Sequence, residues 1–325
     1  MKRILFSLFA ITASVALAAS VNAANVTNYP AGTAASGIGK SRHDMGGLGR
    51  VISSNGTTEI CVFCHTPHHS NTDNNLRPMW NRGTSAPTSF TAYGATIGGT
   101  TINNTDIGST TLACLSCHDG VTTFDNIVNA PGKAGVTAGG SDRGWKFRMP
   151  VGSYLVTGAD HFSAGQCTAC HGAGGFYTDN DLASRLIIGL DLSNDHPVSV
   201  AYNTGRAGLR PTNTTINSID LTSEMAISAN TAYNGNLAQN RWAVKGFVSD
   251  TATISDLLRN GKVECSSCHD PHFRNLSWDE AEPTWGDEGG FLTYCTAGED
   301  CADGQFLRRV GGNTGSGVCR TCHEK

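Results

Sequence analysis

Charge is scarce in this chain. Asp, Glu, Lys and Arg together make up 15% of its 325 residues, and the net charge is −4. No basic patch or charge run marks a nucleic-acid or membrane-surface partner. Aromatic residues reach 7%, and long amphipathic runs are few. The means of burying a core from its own side chains are therefore thin. Catalytic signatures are missing as well: there is no Gly-rich phosphate loop, no zincin motif and no lone activated cysteine. Beyond Ala19 no stretch is long and apolar enough to span a bilayer. No cysteine precedes Cys61, which excludes a lipid-modified N-terminal cysteine.

The first residues read Met1-Lys2-Arg3, then an apolar run Ile4–Ala19, then Val21-Asn22-Ala23. A positive start, a short apolar stretch and small residues before the cut predict a secretory signal peptide over 1–23. Cleavage after Ala24 is the near alternative. A single domain is expected over 24–325, with at most a soft division near residue 130, where Pro131-Gly132 opens a Gly-rich stretch ending at Gly144. The mature protein is expected outside the cytoplasm, at the cell surface or in the medium, with the periplasm as the alternative.

What the chain has is cysteine and histidine in one arrangement. Cys61-Val62-Phe63-Cys64-His65 recurs as Cys114–His118, Cys167–His171, Cys265–His269 and Cys319–His323, and these five copies hold ten of the twelve cysteines. C-x-x-C-H is the attachment signature of c-type haem. Cys61 and Cys64, Cys114 and Cys117, Cys167 and Cys170, Cys265 and Cys268, and Cys319 and Cys322 would each form two thioethers to one porphyrin edge. The following residue, His65, His118, His171, His269 or His323, then lies under the ring and offers its imidazole to the iron. Zinc ribbons use paired C-x-x-C units but give no reason for a histidine after every pair. A redox dithiol needs one such pair in a βαβ setting, not five.

Five haems leave five axial positions, whose occupants decide between electron transfer and ligand chemistry. Six histidines remain: His43, His68, His69, His161, His196 and His272. Bis-histidine ligation throughout is the economical assignment, with His43, His68, His161, His196 and His272 as distal ligands and His69 spare. His68 follows His65 by three residues, and His272 follows His269 likewise, each across a proline. Axial ligands sit on opposite faces of the ring, and so short a segment cannot wrap around a porphyrin. Each of these histidines must reach a different haem, which makes His-x-Pro-His a junction between neighbours.

Cys295 and Cys301 lack a following histidine and suit a local disulfide in an oxidising compartment, with an unusual ligand pair as the alternative. The stretch Pro87–Thr111 reads as loop or short irregular strand. Residues 203–240 look similar, with a possible helical piece at Ile219–Ala232. Thr253–Gly261 is the better helix, with a polar start and a terminal glycine. The fold class expected is mostly irregular coil with few short helices and minimal strand, a multihaem cytochrome organised around a haem chain.

Several blocks resemble the OmcE-type multihaem cytochromes. They are "SRHD" at 41–44, "ICVFCHTPHH" at 60–69, "PMWN" at 78–81, "LACLSCHDG" at 112–120, "DLSNDHPVS" at 191–199, "VECSSCHDPH" at 263–272 and the terminal "FLRRV…GVCRTCH". The resemblance spans the mature chain and departs from the family pattern of four haems at Cys167–His171, the extra motif. It implies that His161 accompanies this fifth haem and that His43, His68, His196 and His272 are the family's distal set. It also implies a secreted electron-transfer protein, not an enzyme, polymerised head to tail with a distal histidine supplied across each boundary. Its partners would be copies of itself, other electron-transfer proteins and extracellular electron acceptors.

Two other readings stand beside this one. One is a monomeric periplasmic shuttle. The other is an oxyanion reductase, which needs an open axial site of the kind nitrite reductases obtain with lysine in one motif; every motif here ends in histidine. His43 lies in a stretch, Ala31–Gly49, rich in small residues, and is expected to extend to the adjacent subunit's last haem.

Overall fold

The structure is a computed structural model. It describes residues 31–34, 37–39, 41, 43–44, 51–52, 60–72, 79–94, 96–97, 100–120, 122, 127–129, 146–148, 155–157, 188–219, 221, 240–275, 306–310, 312–313 and 316–324. The expected signal peptide over 1–23, His161, the third motif with Cys167, Cys170 and His171, the Gly-rich stretch 131–144, most of Ile219–Ala232, and Cys295 and Cys301 lie outside the described residues.

Regular structure is sparse and short among the described residues, as a chain with little periodicity requires. The strands run two or three residues each: β1 (Val51–Ile52), β2 (Thr96–Ile97), β3 (Thr100–Thr101), β4 (Lys146–Arg148), β5 (Leu155–Thr157), β6 (Val200–Ala201), β7 (Trp242–Val244), β8 (Phe247–Ser249) and β9 (Lys262–Val263). They pair antiparallel as β1-β4-β5, β2-β3, β6-β9 and β7-β8. The β7–β8 hairpin turns on Lys245 and Gly246, both at positive φ (52° and 86°), the backbone that a two-residue hairpin of matching twist demands.

The helices are α1 (Ser109–His118), α2 (Ile254–Leu257), α3 (Cys265–Cys268) and α4 (Gly317–Cys322). Thr111, Leu112, Leu115 and Ser116 of α1 are buried, a single helical stripe. The expected helix Thr253–Gly261 begins as read, with Thr253 as cap and its N–H donating to Asp256 Oδ2 at 2.9 Å. It ends early. Leu258 is extended, and Arg259 and Lys262 exchange backbone hydrogen bonds at 2.9 Å around Asn260 (φ 52°) and Gly261 (φ 73°). Asn-Gly is a strong hairpin turn, so the glycine reverses the chain where a helix cap was expected.

Buried apolar side chains form small separate clusters. One gathers Phe90, Ile107, Leu112, Leu115 and Leu192 about α1. Another holds Ile216, Trp242, Val244, Ala252, Ile254 and Leu257, with Val318 and Cys322 of α4 against it. A third joins Ala243, Val248, Phe273 and Val310. Each is small, but the chain does supply local cores of its own.

α1 and α3 are locked together by a carboxylate. Glu264, 3% exposed, accepts hydrogen bonds from the Thr111 hydroxyl and from Ser199 Oγ at 2.9 Å. Its own N–H donates to Ser267 Oγ at 2.9 Å, and the Cys265 N–H donates to Thr111 Oγ1 at 3.3 Å. Burial holds this carboxyl above its ordinary value, against the pull of the two hydroxyl donors. The carboxylate fills the space beside Gly108, where a Cβ would stand 2.1 Å from it. Glu264→Ala orphans the Thr111 and Ser199 hydroxyls and is expected to cost about 1–3 kcal/mol. Gly108→Ala should destabilise in the same range, about 1–3 kcal/mol, by overpacking. Denaturant unfolding of both variants beside the parent checks this, and parent-like midpoints would refute the joint. Because the folded pKa is raised, the contribution is present below the ordinary carboxylate range and lost as pH rises through the folded value.

Candidate functional site

The four described C-x-x-C-H motifs are each one tight turn. Cys61–Phe63 is a 3-10 turn. The second motif ends α1, the fourth is α3, and the fifth ends α4. In the first, fourth and fifth motifs the histidine N–H donates to the carbonyl of the first cysteine, at 2.7, 3.0 and 2.9 Å. One such turn puts residues i and i+3 on one face, so both thiols face one way and the histidine leaves the turn next. All eight described cysteines carry free thiols.

A feature absent from the sequence reading concerns the two residues between the cysteines. In every described motif one of their carbonyls accepts from a side chain outside it. Asn81 Nδ2 donates to Val62 O at 2.7 Å. Arg82 donates through Nε and Nη2 to Ser116 O at 3.2 and 3.1 Å. Arg308 Nη1 donates to Ser266 O at 2.9 Å, and Arg210 Nε to Arg320 O at 3.3 Å. Arg82 and Arg308 are almost wholly buried. Burial pulls Arg308 down to about 10, so it remains a cation at neutral pH. Only the neighbouring letters "WNR" and "LRR" could have hinted at these donors.

Four of the thiols are pushed up, while the hydrogen bond from Cys114 lowers Cys265. Burial, with Cys117 nearby, pushes Cys64 up to about 12. Burial and Cys322 do the same to Cys268, also to about 12. Cys322 is pushed up to about 11 by burial and then Cys319. The Cys114 thiol hydrogen-bonds to Cys265, which with burial raises it well above the ordinary thiol.

These contacts order the motifs in space. Cys117 lies near enough to Cys64 to raise its pKa, and the first motif meets the second through the segment 79–82. There the Asn81 N–H donates to Cys64 O at 2.9 Å, while Trp80 Nε1 donates to Ser116 Oγ at 3.2 Å. The second meets the fourth at Cys114–Cys265 and Thr111–Glu264. The fourth is joined to the fifth by the segment 308–309: the Arg308 N–H donates to Cys268 O at 2.8 Å, and Arg309 Nε and Thr321 Oγ1 both donate to Asn240 Oδ1, at 3.0 and 3.1 Å. Among the described motifs the spatial order is first, second, fourth, fifth.

The remaining described histidines divide into two groups. His43 is half-buried, its imidazole stacked on Phe306 at 4.3 Å and 6.2 Å from that of His118. His272 lies 6.3 Å from His65, and its Nδ1 is 3.1 Å from Asp270 Oδ1, which raises its pKa. His68, His69 and His196 are exposed, with His196 Nδ1 3.0 Å from Pro197 O. An Nδ1 so engaged leaves Nε2 as the nitrogen to bind a metal.

Within one chain, the segment around His43 lies against its own residues. Its surroundings tie it down. Gly32 N donates to Val248 O at 2.8 Å, Gly37 N to His272 O at 2.9 Å, and Val248 N to Thr33 O at 2.8 Å. Small side chains let this strand lie against its own chain, where backbone bonds replace the anchoring that apolar side chains would give.

Among the described residues no three His, Cys, Asp or Glu side chains converge on one point. A haem iron takes only two ligands from the protein, so paired imidazoles and free paired thiols fit that group. Among the same residues no helix is long and apolar enough to cross a membrane. No known family matches the chain, and no curated protein matches it.

Arg308→Gln removes a buried charged donor from Ser266 O and Ala243 O and is expected to lose about 1.5–3 kcal/mol. Lys245→Gln breaks a surface pair with Asp256 at 3.5 Å and should stay within about 0.5 kcal/mol of the parent. Equal effects in thermal unfolding would refute the structural role of Arg308.

Proposed function

We propose that the chain is an exported pentahaem c-type cytochrome that carries electrons. The observation that supports this best is the series of four described attachment motifs, each a single turn with free thiols. Cys61 and Cys64, Cys114 and Cys117, Cys265 and Cys268, and Cys319 and Cys322 would hold the groups covalently. His65, His118, His269 and His323 would each supply one axial nitrogen. Cys167, Cys170 and His171 would hold a fifth group on the motif alone. Bound haem supplies reversible one-electron chemistry at iron.

The protein's part is to hold and tune. The segment 79–82, the Cys114–Cys265 hydrogen bond and the segment 308–309 would hold the described attachment edges in the order first, second, fourth, fifth. The Arg82 and Arg308 guanidinium groups, bonded to motif carbonyls, place fixed positive charge beside the second and fourth groups. Such charge favours the reduced form of each. Every motif histidine is present, so an electron carrier with both axial positions filled fits better than an enzyme with an open one.

Export rests on the leader over 1–23, and assembly into a head-to-tail filament rests on the resemblance in sequence blocks. A monomeric shuttle is the second reading. The tethering of His43 to its own chain favours it, because the bridging residue that the sequence suggested is engaged at home.

Expression with a haem-attachment system, followed by intact mass measurement, should show five haems and a start at Ala24 or Asn25. The reduced protein should bind no carbon monoxide. Fewer haems, or a gas-binding haem in the parent, would overturn the assignment. Electron microscopy of the same sample separates filament from monomer.

A further inference from the structure

We infer that His272 is the second axial ligand of the haem held by His65, and His43 that of the haem held by His118. This rests on the cytochrome reading and specifies its iron sites. A metal–imidazole nitrogen bond is about 2.0 Å, and the ring centre lies about 1.1 Å beyond the nitrogen. Two imidazoles on opposite sides of one iron therefore have centres about 6.2 Å apart. The observed separations are 6.3 Å for His65 and His272 and 6.2 Å for His43 and His118.

The ordinary alternative is that these rings simply touch. His43 does touch a ring, stacking on Phe306 with centres 4.3 Å apart. An edge-on contact also spans 6.2 Å, so what favours ligation is that two separate pairs both match the distance across one iron. The interplanar angles differ, 20° for His65 with His272 and 81° for His43 with His118. Both agree with a shared axis, because each ring contains the nitrogen–iron–nitrogen line and is free to rotate about it.

The surroundings fit ligands held in place. Asp270 engages His272 Nδ1 at 3.1 Å, which leaves Nε2 for the iron. His65 is braced edge-on by Trp80 at 5.3 Å, and His43 by Phe306. Pro271 keeps His272 from turning back toward the group held by His269. The fourth motif's loop thus reaches across to the first motif, and the N-terminal segment reaches the second.

The test counts haems that bind carbon monoxide in the reduced, haem-loaded chain. His272→Ala and His43→Ala should each raise the count from zero to one per chain. Identity comes from removing a haem first. In Cys61→Ala/Cys64→Ala/His65→Ala, adding His272→Ala should leave the count unchanged. In Cys114→Ala/Cys117→Ala/His118→Ala, adding His43→Ala should do the same. A gain of one in either combination overturns that pairing. Where a combination does not mature, a density map of the parent decides directly. His272 facing His65 across iron, and His43 facing His118, upholds the pairing, and any other partner overturns it. A parent chain without haem overturns the cytochrome reading itself, whereas a loaded parent with other partners overturns the pairing alone.

Discussion

The rest of the structure depends on how a buried C-x-x-C turn satisfies its own backbone. A single turn leaves carbonyls without helical partners, and packing one motif against the next removes the water that would serve them. A buried carbonyl must then find a donor. Here Asn81, Arg82, Arg308 and Arg210 provide it. Each donor comes from a segment that also holds a neighbouring motif or its flanks, so satisfying the turn fixes the neighbour. Local hydrogen bonding and long-range order are here one device.

The same device explains how a chain poor in apolar periodicity stays ordered around its motifs. The apolar clusters are small, and each lies beside a motif helix or the segment that braces it. Between them run polar joints such as Glu264, where one carboxylate receives Thr111 and Ser199 across 153 and 65 residues of sequence. Joints of this kind have a single geometry in which all partners are met. That suits a protein whose proposed work depends on fixed spacing between redox centres, since a rearranged joint would strand a buried polar group.

Placing His43 in its own chain alters what an assembly would require. The sequence shows only that His43 is near the N-terminus among small residues. The backbone bonds of Gly32, Thr33 and Gly37 show what such residues permit, a strand laid closely on β8 and on the His272 loop. A bridge between subunits, if the chain polymerises, would fall to an exposed imidazole; of the described distal set His68, His196 and His272 are exposed, and His272 already lies beside His65.

The single turn of each described motif was legible in the sequence, because three groups within five residues need only one turn to be brought together. The scarcity of regular structure was legible too, since periodicity is a local property, and so was the cap at Thr253. The turn at Asn260-Gly261 was written there but read as a helix end, because glycine serves both and only the pairing of Arg259 with Lys262 tells them apart. What tertiary structure decided was everything that depends on residues distant in the chain. It set which motif touches which, which arginine reaches which carbonyl, and which imidazole stands opposite His65 or His118. None of these has a spacing rule. Each follows from chain segments meeting across a folded interior, where burial leaves one arrangement in which every polar group has a partner.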